Sequence, residues 1–304
     1  MDQLQISLFG KFCARCGEQA LDGLDACKVQ ELLCYLLLHA DRPHHRESLA
    51  SLLWPEQPSA QSKSYLRRTL WQLQSAFSGY DDLNTIVQIE SDWIQIGLTA
   101  VLRLDVALFE QAFVCTQGKA GAELDETAVR TLAEAVQLHR GDLLEGWYQD
   151  WCLFERERYQ QMLLMMLDKL MEHGESCGAY ESAISYGMQI LRHDQARERT
   201  HRRLMRLYYL AGDRTSALRQ YERCTAVLLR ELGVQPAAST EHLHAQIQAD
   251  RLEYPAPAIT PSANPFTLQA ALGRLQEFDA ILQKTRQQIQ QEIHRVESTL
   301  FLGN

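Results

Sequence analysis

The sequence predicts a mainly α-helical protein that begins with a small α+β domain. Two stretches that alternate apolar and polar residues, LQISLFGKFCARCG at 4–17 and TIVQIESDWIQIGL at 85–98, are typical of paired strands. Three helical segments separate them. From about residue 103 onward no strand pattern remains, and a repeat of 34 residues within the long helical segments indicates packed helical hairpins.

Three helices are predicted between the two strand regions. The first, residues 28–39, has an apolar stripe formed by Val29, Leu32, Leu33, Leu36 and Leu37. The second covers residues 46–54. The third has Ser59 as a candidate N-cap and Gly79 as a candidate C-terminal cap. Together with the hairpin that follows, this order predicts a helix-turn-helix with a C-terminal wing.

The third helix, SKSYLRRTLWQLQSAF at 62–77, is basic and contains no acidic residue. Its helical spacing turns Leu66, Leu70, Leu73 and Phe77 toward the core. The opposite side carries Ser64, Arg67, Arg68 and Trp71, flanked by Lys63 and Gln72. Cations neutralise phosphates, while Arg and Gln can pair with guanine and adenine in the major groove. The alternative is a solvated amphipathic helix without a ligand.

The overall charge limits how this protein could bind nucleic acid. The formal net charge is −9, and residues 1–100 contain eight Lys and Arg against twelve Asp and Glu. Net charge governs solubility and long-range steering, whereas a binding face is local. Any DNA contact must therefore depend on the basic face of the third helix.

The 34-residue repeat relates GAYESAISYGMQIL, from Gly178, to GDRTSALRQYERCT, from Gly212. The matching positions include Ala183 and Ala217, which are small enough to let two helices pack closely. This period is that of tetratricopeptide helix pairs, with glycine freeing the turn.

The last part of the chain has a different composition. Residues 254–265 contain four of the eight prolines and read as a linker. Residues 266–304 follow as an amphipathic helix with an imperfect coiled-coil spacing, which Asp279 and Arg286 interrupt. We expect residues 266–301 to support a homodimer or to pack on their own chain.

These stretches carry a family resemblance. KVQELLCYLLLHADRPHHRESLASLLWPE and SYLRRTLWQLQSAF resemble the OmpR-like winged-helix domain of the Streptomyces antibiotic regulatory protein (SARP) family. LHRGDLLEGWYQDWCLFERERYQQ and RERTHRRLMRLYYLAGDRTSALRQYERCTAVLLRELGVQPAAST resemble that family's bacterial transcriptional activator domain, which is tetratricopeptide-like. The resemblance implies a winged helix at 1–100 and the activator domain at 101–253.

The resemblance also implies a function and its residues. It implies a transcriptional regulator, usually an activator, that binds promoter DNA and contacts RNA polymerase. The implied DNA-contacting residues of the third helix are Lys63, Ser64, Arg67, Arg68, Trp71 and Gln72. Arg46 and Ser48 of the second helix would lie near the DNA backbone. The implied wing, residues 88–94, would place Gln88, Ser91 and Trp93 toward the minor groove.

Two further clusters invite a functional interpretation. Arg197, Arg199, Arg202 and Arg203 form a cationic helix face. That face is a candidate surface for a small anionic effector or a partner, the alternative being a repeat surface with local ion pairs. Cys13 and Cys16 form a CxxC, but no second CxxC accompanies it and residues three apart on a strand do not share a face. We therefore predict no metal site and no cofactor, and the alternatives for this CxxC are a zinc knuckle and a redox-sensing thiol pair.

The remaining expectations concern catalysis and location. The sequence has no P-loop, GxGxxG, GxSxG or HExxH motif, so we do not expect an enzyme. It has neither a signal-peptide pattern nor an apolar run of 18 residues, so we expect a cytoplasmic protein without a membrane partner. The alternative function is a protein-interaction scaffold that uses the helical repeats and carries a degenerate winged helix.

Overall fold

The computed structural model describes residues 4–78, 86–97 and 102–252. They lie within one compact unit, Met1–Leu252. The predicted linker at 254–265 and amphipathic helix at 266–304 fall outside the described residues, as does Gly79.

The N-terminal part is the predicted winged helix-turn-helix. Its elements are β1 (Leu4–Ser7), β2 (Cys13–Cys16), β3 (Gln19–Ala20), α1 (Cys27–Leu38), β4 (His44–His45), α2 (Arg46–Leu53), α3 (Ser59–Phe77), β5 (Val87–Glu90), β6 (Trp93–Ile96) and β7 (Leu102–Leu104). One sheet has the strand order β3-β2-β1-β7, and the second has the order β4-β6-β5. The β5–β6 hairpin that follows α3 is the wing.

Burial follows the sequence pattern in both kinds of element. Leu4 and Ile6 are buried on one face of β1, as is Leu8 directly after it, while Gln5 and Ser7 are exposed on the other face. All five residues of the predicted α1 stripe are buried. Because β1 pairs with β2 on one side and β7 on the other, its apolar face becomes the floor of the N-terminal core.

Two predictions of element boundaries were wrong. Leu102–Leu104 is a strand that pairs in parallel with β1, although no strand was expected beyond about residue 103. Three residues are too few to show an alternation, and the partner strand lies almost a hundred residues earlier. The N-cap of α3 is Pro58 rather than Ser59. The Pro58 carbonyl accepts from the Gln61 and Ser62 amides at 2.8 and 3.0 Å, so helical bonding begins there.

The helical domain consists of α4 (Asp105–Cys115), a 3-10 turn (Gly121–Glu123), α5 (Glu126–Leu138), α6 (Asp150–Ser176), α7 (Tyr180–His193), α8 (Glu198–Leu210), α9 (Arg214–Leu232) and α10 (Ala238–Gln248). Helices α6 and α7 pack together, as do α8 and α9. Gly178 and Gly212 open the turns with φ of 73° and 84°, a conformation that favours glycine. Ala183 and Ala217 are fully buried at the two matching helix contacts.

The winged helix and the helical domain share hydrogen bonds and one core. The carboxylate of Asp105, the first residue of α4, accepts the backbone N–H groups of Leu8 at 2.9 Å and Phe9 at 3.0 Å. It also accepts the N–H of Val106 at 2.8 Å. Asp105 is buried, and desolvation raises its pKa while these amide donors oppose the rise. The carboxylate therefore ties the end of β1 to the start of α4.

A second contact reinforces this connection. Gly10 donates its N–H to the Asp142 carbonyl, and the amides of Leu144 and Glu145 bond back to carbonyls of the 8–10 segment, each at 2.8 Å. The Phe9 ring lies between Phe109, Tyr159 and His139, with centroid distances of 5.1, 5.5 and 4.7 Å. One cluster of buried side chains consequently runs from Leu4 in the first strand to Leu207 in α8.

Within the described part of the chain, no helix is both long enough and apolar enough to span a membrane.

Replacing Asp105 with Ala should destabilise the whole compact unit. The buried amides of Leu8 and Phe9 would lose their acceptor, and such unsatisfied donors are costly. We expect the free energy of unfolding to fall by about 3 kcal/mol, measured by urea denaturation. The exposed Asp142 is the matched control, because its Ala variant keeps the backbone contact to Gly10. Equal stability of the two variants would contradict this role of Asp105.

Candidate nucleic-acid interface

Helix α3 has a buried face and an exposed face, as the spacing predicts. Leu66, Leu70, Leu73 and Phe77 are at most 2% exposed and pack into the core. Ser62 and Thr69 are also buried, which the sequence pattern did not show. The exposed side carries Lys63, Ser64, Arg67, Arg68 and Trp71, with Gln72 partly exposed beside them. The structure thus brings the predicted third-helix residues together on one surface, here called the α3 face.

The cations of the α3 face differ in their surroundings. Lys63 Nζ lies 2.8 Å from Glu47 Oε1 of α2, and this pair lowers the pKa of the exposed Glu47 carboxyl. Among the described residues, no carboxylate lies within 4.0 Å of Arg67 or Arg68. Trp71 is 67% exposed on the same face, which is unusual for so large an apolar side chain. Two unpaired guanidinium groups and an open aromatic ring are therefore available to a ligand.

Helix α2 is joined to the wing through Arg46. The Arg46 backbone N–H donates to the Asp92 carbonyl at 2.9 Å, and Arg46 Nη1 donates to the Ser91 carbonyl at 3.1 Å. Strand β4 pairs with β6, and the His45 ring meets the Trp93 ring at 5.3 Å. Arg46, predicted near the DNA backbone, thus also supports the wing tip, whereas Ser48 is exposed on α2.

The wing presents polar and aromatic groups rather than cations. Gln88, Ser91 and Trp93 are exposed, as a contact surface would need, and Trp93 is 48% exposed. Glu90 and Asp92 are exposed on the same hairpin, and residues 86–97 contain no Lys or Arg. A wing of this composition offers hydrogen bonds and stacking surface, while its carboxylates would repel phosphates.

The four arginines of the predicted effector surface lie on or just before α8. Arg197 and Arg203 both pair with Asp168 of α6, at 2.5 and 3.3 Å, and Arg203 also reaches Glu175 at 3.3 Å. Arg202 donates to Ser239 Oγ at 3.0 Å near the start of α10. These contacts join repeat helices to one another. They agree with the alternative interpretation of this cluster, a repeat surface with local ion pairs. Arg199 is exposed.

His201 lies next to this cluster, is buried, and makes the hydrogen bonds of a neutral imidazole ring. Its Nε2 lies 2.9 Å from the Gln195 carbonyl, which can only accept, so Nε2 donates and Nδ1 accepts from the Gln220 amide at 2.8 Å. Burial lowers the pKa of His201, and it also lowers those of His39 and His139. These three side chains therefore favour the neutral form in the folded protein.

The CxxC lies on β2, with Cys13 half-buried and Cys16 buried. The register pairs Cys13 with Ser7 and Cys16 with Leu4, and these β1 residues lie on opposite faces. In the parts of the chain covered by the structure, no three His, Cys, Asp or Glu side chains are grouped to hold a metal ion.

A winged helix-turn-helix that continues into tetratricopeptide-like helix pairs defines a class of transcriptional regulator. Residues 104–248 match the family model described as the bacterial transcriptional activator domain. The chain therefore contains this domain, and the SARP-like resemblance of the sequence is confirmed.

Two curated relatives and one solved structure agree with this class. The transcriptional regulatory proteins MoaR1 of Mycobacterium tuberculosis and Mycobacterium bovis are each 25% identical over 225 residues, which cover 72% of this chain and 71% of theirs. The structure of Mycobacterium tuberculosis EmbR, in complex with a low-affinity phosphopeptide, aligns with a TM-score of 0.70 and 18% identity. It covers 88% of this chain and 72% of EmbR, and at that identity it supports the fold alone.

Sequence reasoning missed Glu47, the residue that most changes the charge of the α3 face. Its proximity to Lys63 depends on how α2 crosses α3, and the helical spacing of either segment contains no information about that crossing. The position of Glu47 in the first turn of α2 was visible, but acids are common there because they favour the helix N-terminus.

The buried histidines predict a stability that falls in mild acid. An unfolded histidine has a pKa near 6.5, whereas burial lowers that of His201 in the fold, so the unfolded state binds the extra proton first. The contribution of the buried neutral histidine to the free energy of unfolding should be fully present above about pH 6.5 and should decline as the pH falls below that value. Urea denaturation at a series of pH values measures this, and His201→Gln should flatten the decline. An unchanged slope in that variant would assign the effect to other groups.

Proposed function

We propose that this chain is a sequence-specific DNA-binding transcriptional regulator that reads the major groove with the α3 face. The observation that supports this best is that Arg67 and Arg68, which have no carboxylate within 4.0 Å among the described residues, lie beside exposed Trp71 on a helix whose other side is buried. Arg can bridge guanine O6 and N7, and it also neutralises phosphate. Ser64 and Gln72 add hydrogen-bonding groups at the edges of the same surface.

The rest of the interface is assigned by its position around α3. Lys63 and Ser48 would contact the DNA backbone, together with Arg46 in so far as its bond to Ser91 permits. Gln88, Ser91 and Trp93 would approach the minor groove. Because Glu90 and Asp92 lie in the same hairpin, we expect the wing to add little phosphate affinity. It would act by stacking and hydrogen bonding instead.

We further propose that the protein acts as an activator that contacts RNA polymerase, in line with the description of its helical domain. With only a few unpaired cations on the α3 face, one monomer would bind promoter DNA weakly. Tandem sites or a homodimer through residues 266–301 would raise affinity by increasing effective concentration. We also propose that the protein binds a small-molecule effector and that it is cytoplasmic.

The competing function is a protein-interaction scaffold in which the winged helix binds no DNA. The acidic wing and the exposed Tyr148 and Phe154, 77% and 76% exposed near the start of α6, are the observations that favour it. The same experiment separates the two functions, because a scaffold does not depend on the guanidinium groups of the α3 face.

Replacing Arg67 and Arg68 together with Ala should abolish selection of specific DNA. We would incubate the purified protein with fragmented genomic DNA at two salt concentrations and sequence the retained fragments. The wild-type protein should enrich fragments that share a motif, and higher salt should weaken the enrichment. For one enriched fragment, the double variant should lose its preference over an unrelated fragment, and the salt slope of log K should fall by about one for each of the two arginines that contacts phosphate rather than a base.

The matched control removes two exposed arginines elsewhere. Arg130 of α5 and Arg192 of α7 are both exposed, so their double Ala variant changes the net charge equally. It should retain the wild-type motif and slope. If both double variants lose DNA equally, the binding is a non-specific charge effect. No enrichment by folded wild-type protein at low salt would favour the scaffold.

Replacing Glu47 with Gln should strengthen DNA binding. Lys63 would lose its carboxylate partner at 2.8 Å and become free to meet phosphate. We expect a salt slope steeper by about one and tighter binding to all sequences, since the new contact carries no base information. Fluorescence anisotropy of an enriched duplex and of an unrelated duplex measures both effects. A gain restricted to the enriched duplex would contradict a backbone role for Lys63.

A further inference from the structure

The exposed face of the N-terminal sheet carries arginines on two of its strands. Arg15 of β2 and Arg103 of β7 both pair in register with Gln5 of β1, one on each side. All three residues are exposed. Neighbouring strands lie about 4.8 Å apart, which separates the two arginine backbones by about 10 Å. Two guanidinium groups on long side chains can close over that distance on a single ligand.

A pocket lies over this face of the sheet, here called the sheet pocket, and two more cations line it. Lys11 comes from the β1–β2 loop, and Arg140 follows the C-terminal end of α5. The pocket has a volume of about 430 Å³. Ser7 and Cys13, a register pair one step along the sheet, line it with polar groups. Four separate chain segments thus converge on one concavity.

The charge of the sheet pocket is unbalanced. Within the described ranges, no carboxylate lies within 4.0 Å of Lys11, Arg15, Arg103 or Arg140. The carboxylate among the described lining residues is that of Asp105, whose oxygens already accept three backbone N–H groups. In a chain with a net charge of −9, four such cations around one carboxylate favour an anionic ligand.

We propose that the sheet pocket binds a small phosphorylated molecule, with Arg15 and Arg103 holding its phosphate. A guanidinium group forms paired hydrogen bonds with phosphate oxygens, which suits arginine better than lysine for this role. The volume falls within the range typical of small-molecule pockets. Its concave shape fits a compact ligand better than the side of a DNA duplex, and none of the four cations belongs to α2, α3 or the wing.

This site differs from the effector surface expected from the sequence. Of the four candidates there, Arg197 and Arg203 are paired with Asp168, Arg202 donates to Ser239 and Arg199 is exposed. The sheet pocket also joins the two halves of the protein, because Arg15 belongs to the N-terminal hairpin and Arg140 to the helical domain. A ligand that contacts both would strengthen the junction that Asp105 forms. The proposal does not depend on DNA binding by the α3 face.

The test is calorimetric titration of the full chain with inorganic pyrophosphate at low ionic strength, with chloride matched throughout. The wild-type protein should bind one equivalent in a saturable manner. Arg15→Gln/Arg103→Gln should weaken that binding about a hundredfold, since each of the two lost bonds to a charged group is worth about tenfold. Arg130→Gln/Arg192→Gln, which removes two exposed arginines that do not line the sheet pocket, serves as the control and should bind pyrophosphate as the wild type does.

A second pair of variants keeps the result interpretable. If Arg15→Gln/Arg103→Gln lowers the unfolding midpoint, Lys11→Gln/Arg140→Gln replaces it, because neither residue lies within a strand. The proposal is overturned by absence of saturable binding to the wild type, or by undiminished binding in a folded variant pair. A duplex DNA titration runs in parallel. If the sheet-pocket variants lose duplex as strongly as pyrophosphate, the surface binds nucleic-acid backbone and the small-ligand assignment is wrong.

Discussion

The buried carboxylate of Asp105 is the contact on which the arrangement of the two halves depends. It accepts the amides at the end of β1 and belongs to the first turn of the helical domain. A buried carboxylate is tolerated only where donors surround it, and its loss would leave those donors unsatisfied. The parallel pairing of β7 with β1 and the packing of Phe9 against Phe109 follow from the same docking.

This junction has a mechanical consequence for a regulator. Two domains connected by a linker would move independently, whereas here one core continues from the first strand into the repeat helices. Residues of β1, α1, α3 and the repeat helices belong to this one core, so a partner that displaces the helical domain would act on a packed connection rather than across a flexible linker. A ligand in the sheet pocket would act on the same structural connection, since its cations come from both sides of it.

The sequence was sufficient for the three N-terminal helices, the wing hairpin and the turns of the repeat, because an element that is buried on one face shows a periodic pattern of apolar residues. This periodicity predicted the buried stripe of α1 and the inward leucines of α3, and the 34-residue repeat predicted the glycine turns. Contacts between distant segments were not predicted. Such contacts depend on how two elements cross in the fold, and the periodic pattern of one segment contains no information about that crossing. Examples are β7 with β1, Lys63 with Glu47, and Arg203 with Asp168.

The same distinction separates the arginines that are conspicuous in the sequence from those that have no carboxylate within 4.0 Å in the described part of the fold. A run of arginines such as that before and within α8 is conspicuous in the sequence, yet the folded chain sets Asp168 and Glu175 of α6 against it. Lys11, Arg15, Arg103 and Arg140 are scattered along the chain and become neighbours only when β7 joins β1. The cations that we propose to bind anions are those that, among the described residues, have no carboxylate within 4.0 Å: Arg67 and Arg68 on the α3 face and the four cations of the sheet pocket.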